Sequence, residues 1–447
     1  MMSRDLRGLL LKLNNSGLLR HVKRRVSSQY EIAALLKNTK GEMPLCFEQV
    51  DDYNCPLVAG IGGTRELMAL SVGVSPYALP ESLAMAIASP LPVEIVASAP
   101  VQEHVIKAPF NLDDYFPVLR YNQLDPAGFL VSGVMVAKSV SGGKFYTSVR
   151  RMQYLGGNRS CLLVTSYEMR KQISRYEEIK EPMPVAFMFG VSPAVVLASQ
   201  ISTHYYNADK FAVTGALLGE NSRVVNCRTV DLAVLADAEM VLEGNLYPWR
   251  KEKEGPFGEL GGYYGGASEQ PVVEFSALTF RDNPIAQTIL AGSCEEKLPE
   301  AIAREVALLA AVSQTVPGVK RVNVTMAGAG RFHAIIQLDK QTGADGKQAL
   351  LAAFSADKDL KHAVAVDMDV DIFNPEDVEW AIATRVQADL DVFIIPGAMG
   401  SPLDPSHLLR GVSAKMGVDA TVPAGGRGYA RTYIPGEEKT NIEDYIS

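Results

Sequence analysis

Leu6, Leu9, Leu10 and Leu13 recur at helical spacing near the start of the chain and predict an amphipathic helix. Further on the pattern changes to short β-type runs at 131–138, 144–149, 160–165, 184–189, 222–228, 240–243 and 272–279. Strands of this size separated by turns predict a barrel or sandwich-like domain. The most apolar window, 184–201, contains Pro184, Gly190, Ser192 and Pro193. It reads as a buried strand at 185–189, a turn, and a helix with Ser192 as N-cap and Pro193 at its first position; no membrane span is expected. An Ala/Leu-rich helix at about 299–315 ends before Pro317-Gly318 and bridges two blocks. Beyond it, β-type runs at 322–326, 334–338, 362–366 and 391–395 alternate with helical runs at 347–355 and 375–384, as in a separate α/β domain. The blocks are 1–105, 106–298, the bridge 299–316, and 317–447.

Composition narrows the class. A chain of 447 residues exceeds one ordinary core, which implies about two or three domains. With 47% hydrophobic and 21% charged residues it is an ordinary globular protein, not a disordered or fibrous one. A net charge of −8 argues against a nucleic-acid or membrane-surface partner, so an anionic substrate must be held by a few local Arg and Lys residues. The cysteines at 46, 55, 161, 227 and 294 are odd in number and never form a C-x-x-C pair, which fits reduced thiols in a cytoplasmic protein and offers no zinc site. The charged N-terminus and the short 9–13 apolar patch do not resemble a signal peptide.

Two turns carry candidate chemistry. Gly60-Ile-Gly-Gly63 precedes a helical run at about 64–71, an arrangement that can bind phosphate. It lacks both the Lys-Ser/Thr of a P-loop and the spacing of a dinucleotide fingerprint. Glu254-Gly-Pro-Phe-Gly-Glu259 sets two carboxylates across a rigid Gly-Pro bend. Held at one site, such acids have environments that push their pKa values apart for proton transfer. The competing reading is a surface turn that happens to carry acids.

Several segments together are more specific: Gly63-Thr-Arg-Glu-Leu-Met-Ala-Leu, Arg151-Met-Gln, Thr214-Gly-Ala-Leu, Ala238-Glu-Met-Val-Leu-Glu-Gly244, the 254–259 turn, Asp377-Val-Glu-Trp-Ala-Ile-Ala-Thr-Arg385 and Lys415-Met-Gly-Val-Asp-Ala-Thr421. In this order they make nearly the whole chain resemble the UbiD family of reversible (de)carboxylases that use prenylated FMN. The resemblance implies an α+β/α/β multidomain fold. Its parts are an N-terminal α/β domain, a central split β-barrel that binds flavin, a bridging helix and a C-terminal α/β domain that dimerises. It implies a catalytic trio of Glu254, Arg151 and Glu259, with Arg150 as the competing arginine, and Glu259 returning a proton to the ring carbon. The cofactor is expected against Thr147, Ser148, Val149, Arg150, Met152, Glu168, Met169, Lys210 and Lys415, the last as a phosphate contact. A flavin prenyltransferase would supply it, and the assembly would be a homodimer or a hexamer of dimers.

The chain departs from the family where a divalent metal, Mn²⁺ in relatives, is usually bound. Its ligand positions fall on Tyr146, Met169 (beside Glu168) and Lys210, which are poor hard-cation ligands. No metal is therefore expected, and Lys210 would meet the cofactor phosphate directly as a point charge. A one-residue gap would instead align Glu168 and Asp209 as a degenerate metal site. For the substrate, the resemblance places Arg304 at the distal end and Leu403 over the ring, with Arg331 and His333 as weaker alternatives. An arginine there suits a second carboxylate, so the leading expectation is conversion of furan-2,5-dicarboxylate to 2-furoate and CO₂. The alternatives are a pyrrole- or indole-type monocarboxylate, with Arg304 purely structural, or a non-catalytic flavin-binding subunit.

Overall fold

The computed structural model describes the chain except residues 1–4, 144, 203–207, 408, 424, 426–427, 437–438 and 447. The first helix, Leu6–Asn15, is capped by the Asp5 carboxylate, which accepts from Gly8 N. Its leucine face packs on Val58, Ile61 and Leu67. The adjoining sheet orders Arg20–Val22, Leu45–Phe47, Leu57–Ala59 and Ala286–Gln287, so a strand from far along the chain completes the N-terminal domain.

The central domain is a closed six-stranded antiparallel barrel. Its strands are β1 (Phe129–Lys138), β2 (Phe145–Tyr154), β3 (Arg159–Leu162), β4 (Met183–Phe189), β5 (Met240–Glu254) and β6 (Ser268–Phe280). Around the barrel they run β5-β4-β1-β2-β3-β6, and the β5–β6 pairing closes the ring. The barrel thus resolves the barrel-or-sandwich alternative. Lys144, which opens one expected run, lies outside the described residues. The 222–228 run forms Arg223–Asn226, which pairs with Ala233–Leu235 and Glu94–Val96 outside the barrel. Strand β5 continues well past residue 243, because its charged second half still pairs with β6 while its side chains face solvent. The expected Ser192-capped helix is present as Pro193–Ser199.

The bridging helix is longer than expected, Cys294–Ser313, with Pro299 inside it rather than at its start. Its first turn is anchored by Glu295, whose buried carboxylate accepts from Gly60 N at 2.6 Å and Gly62 N at 3.2 Å. The Gly-rich turn therefore holds the chain's own carboxylate.

The C-terminal domain is a five-stranded sheet of β7 (Val319–Val324), β8 (His333–Leu338), β9 (His362–Val366), β10 (Val392–Met399) and β11 (Val412–Asp419), in the order β7-β8-β9-β11-β10. The three central strands are parallel and the two edges antiparallel. Helices Asp345–Ala356 and Pro375–Arg385 belong to this domain. Strand β11 was not expected, since Lys415 breaks its apolar pattern. No helix among the described residues is long and apolar enough to cross a membrane.

Candidate active site

Strand β2 presents Arg151 to the 254–259 turn. Arg151 Nε donates to Glu254 Oε1 at 2.9 Å, Nη2 to Glu254 Oε2 at 3.3 Å, and Nη1 to Glu259 Oε1 at 3.0 Å. Glu254 ends β5 and is fully buried, whereas Glu259 keeps 18% of its side chain exposed. The turn between them is fixed from both sides. Gln153, two residues along β2, accepts from Gly255 N at 2.8 Å, and Phe257 lies beneath the guanidinium with its ring centre 4.4 Å away. Phe257 is itself buried against Phe129 and Tyr121. Across the short Phe257–Gly258 and Tyr264–Gly265 pairing, a Cβ on Gly265 would lie 2.5 Å from Glu259 Oε1, so a side chain there would displace the Glu259 carboxylate. Burial pushes Glu254 above the usual carboxylate range, opposed by Arg151, and Glu259 adds to the rise. Arg151 loses solvation, but its two carboxylates hold its pKa above the ordinary arginine value. The result is one guanidinium clamped between a buried acid and a solvent-reachable acid, an arrangement suited to holding and delivering one proton.

Neighbouring residues on a strand point to opposite faces, which separates Arg150 from Arg151. Arg150 has a buried Nε with no partner among the described residues, and burial lowers its pKa to about 10. Lys210, at the start of helix Lys210–Leu218, donates from its buried Nζ to the carbonyls of Thr147 and Ser199, each at 2.6 Å. Burial, then the nearby Arg150, lowers Lys210 to about 7. Two desolvated cations that share one region, one depressing the other's pKa, are a pair that could hold an anion such as a phosphate.

Other expected residues sort differently. Thr147 is buried and offers its carbonyl to Lys210, while Ser148 and Val149 are half-buried between them and Arg150. Met152, Met169 and Tyr146 join one apolar cluster in and around the barrel, so none presents a hard donor set. Glu168 is half-buried in the first turn of helix Tyr167–Glu178 and reinforces the upward shift that burial gives Tyr146. Asp209 caps its helix by accepting from Phe211 N and Ala212 N. Among the described residues, no three His, Cys, Asp or Glu side chains converge as a metal site would need.

Three of these side chains have other partners in the fold. Lys415 Nζ donates to the carbonyls of Asp357 (3.3 Å), Lys358 (3.1 Å) and Leu360 (2.5 Å), which uses all three ammonium protons. Arg304 is not a free cation, because it pairs with Glu300 (2.8 Å), Asp359 (2.9 Å) and Asp357. Arg331 is likewise committed to both oxygens of Glu300. Leu403 is half-buried in the β10–β11 loop, which Asp404 fastens to Lys361 and Ser406. His333 opens β8 and reaches Thr325 Oγ1 at 3.3 Å. Sequence reasoning missed Gln153, Phe257 and the Glu296/Glu300 face of the bridging helix. A signal for the last was available in the four-residue spacing of Glu296, Glu300 and Arg304.

The closed barrel carries a carboxylate–guanidinium–carboxylate trio, a candidate acid/base site, and a pair of buried cations. Comparison with known proteins gives that class its family. Residues 10–87, 93–294 and 300–420 match the N-terminal, Rift-related and C-terminal domains of 3-octaprenyl-4-hydroxybenzoate carboxy-lyase. The chain is 31% identical to the anhydromevalonate phosphate decarboxylase of Methanothermobacter thermautotrophicus, across 94% of this chain and 97% of that protein. It is 33% identical to the Aeropyrum pernix decarboxylase of the same name, across 93% of this chain and 94% of that one. The structure of the UbiD-class enzyme HmfF from Pelotomaculum thermopropionicum in complex with FMN superposes with a TM-score of 0.96 at 40% identity, covering 99% of this chain and all of that one. An evolved dimeric form of HmfF in complex with prFMN gives a TM-score of 0.93 at 37% identity, covering 99% of this chain and 100% of that chain. The chain therefore belongs to the UbiD family of decarboxylases and is a carboxy-lyase.

Proposed function

We propose that the chain catalyses reversible, non-oxidative decarboxylation of a small heteroaromatic acid with prenylated FMN. The observation that carries this reading is Arg151 clamped between Glu254 and Glu259. The prenylated flavin, when bound, supplies the electron sink that ring decarboxylation needs. Arg151 orients the substrate carboxylate and keeps its acid partners in place. Glu259, the acid of the trio that solvent reaches, returns a proton to the ring carbon once CO₂ has left. Lys210 and Arg150 bind the cofactor phosphate, with the lysine charge standing where relatives place a metal. Their shared desolvation and, among the described residues, the lack of a partner for Arg150 Nε support this assignment.

The carboxylates around Arg304 bear on the substrate. A dicarboxylate needs an uncommitted cation at its distal end, and so does a phosphorylated acid such as the one named for the archaeal relatives. Arg304 and Arg331 both spend their charge on Glu300, Asp357 and Asp359. A pyrrole- or indole-type monocarboxylate is therefore the reading this site supports best, and furan-2,5-dicarboxylate, carried by the family branch the chain resembles, is the second. We also infer self-association through the C-terminal domain, where Leu390, Ile394 and Met399 are 66–72% exposed along or beside edge strand β10.

The test is a substrate panel. Protein co-produced with a flavin prenyltransferase and purified without oxygen is offered pyrrole-2-, indole-3- and furan-2-carboxylates beside furan-2,5-dicarboxylate, with products read by HPLC. Preferred turnover of a monocarboxylate is expected. Turnover of the dicarboxylate alone would transfer the assignment to the second reading and require Arg304 to exchange partners. Silence on all four with flavin bound would refute the heteroaromatic assignment.

A further inference from the structure

Two of the segments on which the family resemblance rests, 63–70 and 377–385, take no part in the trio or the cation pair. Both line a cavity of about 630 Å³ where the N-terminal domain, the bridging helix and the C-terminal domain meet. Its apolar wall is made by Leu298 of the bridging helix and by Ile335, Ile372, Phe373, Val378 and Ile382 of the C-terminal domain. Arg65 joins the three parts. It pairs with the buried Glu305 of the bridging helix and lies over the Phe373 ring, 4.7 Å from its centre, while Tyr77 meets the same ring at 5.1 Å. Cys294 and Leu298, which reach the cavity, are one helical turn apart. Glu296, Glu300 and Arg304 start about 200° further round that helix, so the cavity lies on the helix face away from them.

The lining decides what this cavity can hold. Its volume falls in the range of small-molecule sites. No cation in it is available to an anion. Arg65 spends its charge on Glu305, and its Nη1 is buried. Burial, then His362, lowers His333, so its ring is neutral at neutral pH, with Nδ1 3.3 Å from Thr325 Oγ1. Asn323 Nδ2 donates to the carbonyl of Ile372 at 2.7 Å. Glu42, Glu66 and Glu379 also line the cavity and are exposed, which sets acids at its mouth. Neither Glu66 nor Glu379 has an ion pair among the described residues. Apolar and aromatic walls with an acidic mouth fit an aromatic body that carries an ammonium, and they disfavour carboxylates and phosphates. We propose that this cavity is a binding site for an aromatic amine, separate from the decarboxylase site and independent of that reading.

The probes are two dyes that share one fluorophore, dansylcadaverine with an ammonium and dansylglycine with a carboxylate. Each is titrated calorimetrically into the cofactor-loaded full chain. One dansylcadaverine per chain should bind with a Kd on the order of 10 μM, about tenfold more tightly than dansylglycine. Glu66→Gln combined with Glu379→Gln changes two exposed side chains and leaves the core intact. It should bring the two dyes within about threefold of each other. Ile382→Trp fills the cavity from helix Pro375–Arg385 and should weaken dansylcadaverine by at least about tenfold. Excess furan-2-carboxylate should leave the amine in place. Absence of saturable binding, equal affinity of the two dyes for the wild type, binding unchanged in either variant, or displacement by furan-2-carboxylate would overturn the site. None of these readouts uses turnover, so an enzyme silent on every acid that still binds the amine would refute the heteroaromatic reading alone.

Discussion

At the scale of single residues, the site divides into groups that move a proton and groups that hold charge. Glu259→Gln keeps the size and a hydrogen-bond acceptor for Arg151 but cannot give up a proton. Its kcat should fall by at least about 100-fold while flavin absorbance on the purified protein stays at the wild-type level. Normal turnover in that variant would remove Glu259 from the donor role. Lys210 gives a pH prediction whose sign follows from its depressed pKa of about 7. Above that value the cofactor-free lysine is neutral, so phosphate binding must be accompanied by proton uptake. FMN affinity should weaken by up to about tenfold per pH unit between pH 7 and 9, and Lys210→Arg should flatten the profile. Titration by flavin fluorescence checks it, and a flat wild-type profile would contradict it. Metal analysis of loaded protein bears on the same lysine, because stoichiometric Mn²⁺ would contradict its part in place of a metal. The trio was legible in the sequence because its acids share one turn and its arginine has a Met-Gln signature. The aspartate partners of Arg304 and the carbonyl partners of Lys415 were not, since they lie 53 to 58 residues away and only folding brings them together.

Among the elements, the 60–63 turn shows how a familiar pattern can be satisfied from within. Its backbone N–H groups form an anion nest, as a phosphate loop would, but Glu295 from the bridging helix fills it. Burial raises Glu295 to about 7, against the pull of those N–H groups. Its folded pKa exceeds its unfolded one, so this group's contribution makes the folded state lose stability as pH rises from about 4.5 to 7. Glu295→Gln should remove that slope, and Glu295→Ala should cost about 1–3 kcal/mol by leaving the N–H groups unmet. Urea unfolding across that pH range measures both. Helix and strand cores were readable from apolar periodicity, including the Ser192 cap. The polar half of β5 was not, because a strand whose side chains face water needs no alternation to pair. Pro299 misplaced the helix start for a related reason: proline favours a first turn, but here the first turn belongs to Glu295 and Glu296.

For the molecule as a whole, the bridging helix is the mechanical and electrostatic link. Glu295 ties it to the N-terminal turn, Glu296 accepts from Gly292 beside the 259–260 backbone, and Arg304 binds Asp357 and Asp359 in the C-terminal domain. Arg304→Met would leave buried carboxylates with too little positive charge, at a cost of about 3–5 kcal/mol. With a monocarboxylate substrate its KM should stay near wild type, whereas a large rise in KM for a dicarboxylate would return Arg304 to the substrate. The central claim concerns the trio, and the most direct measurement follows the proton itself. Cofactor-loaded wild type and Glu259→Gln are given the preferred acid in D₂O, and the product is read by NMR at the vacated ring carbon. The account predicts one deuteron there for each CO₂ released by the wild type, and loss of that reaction in the variant. Equal product from both proteins would contradict it.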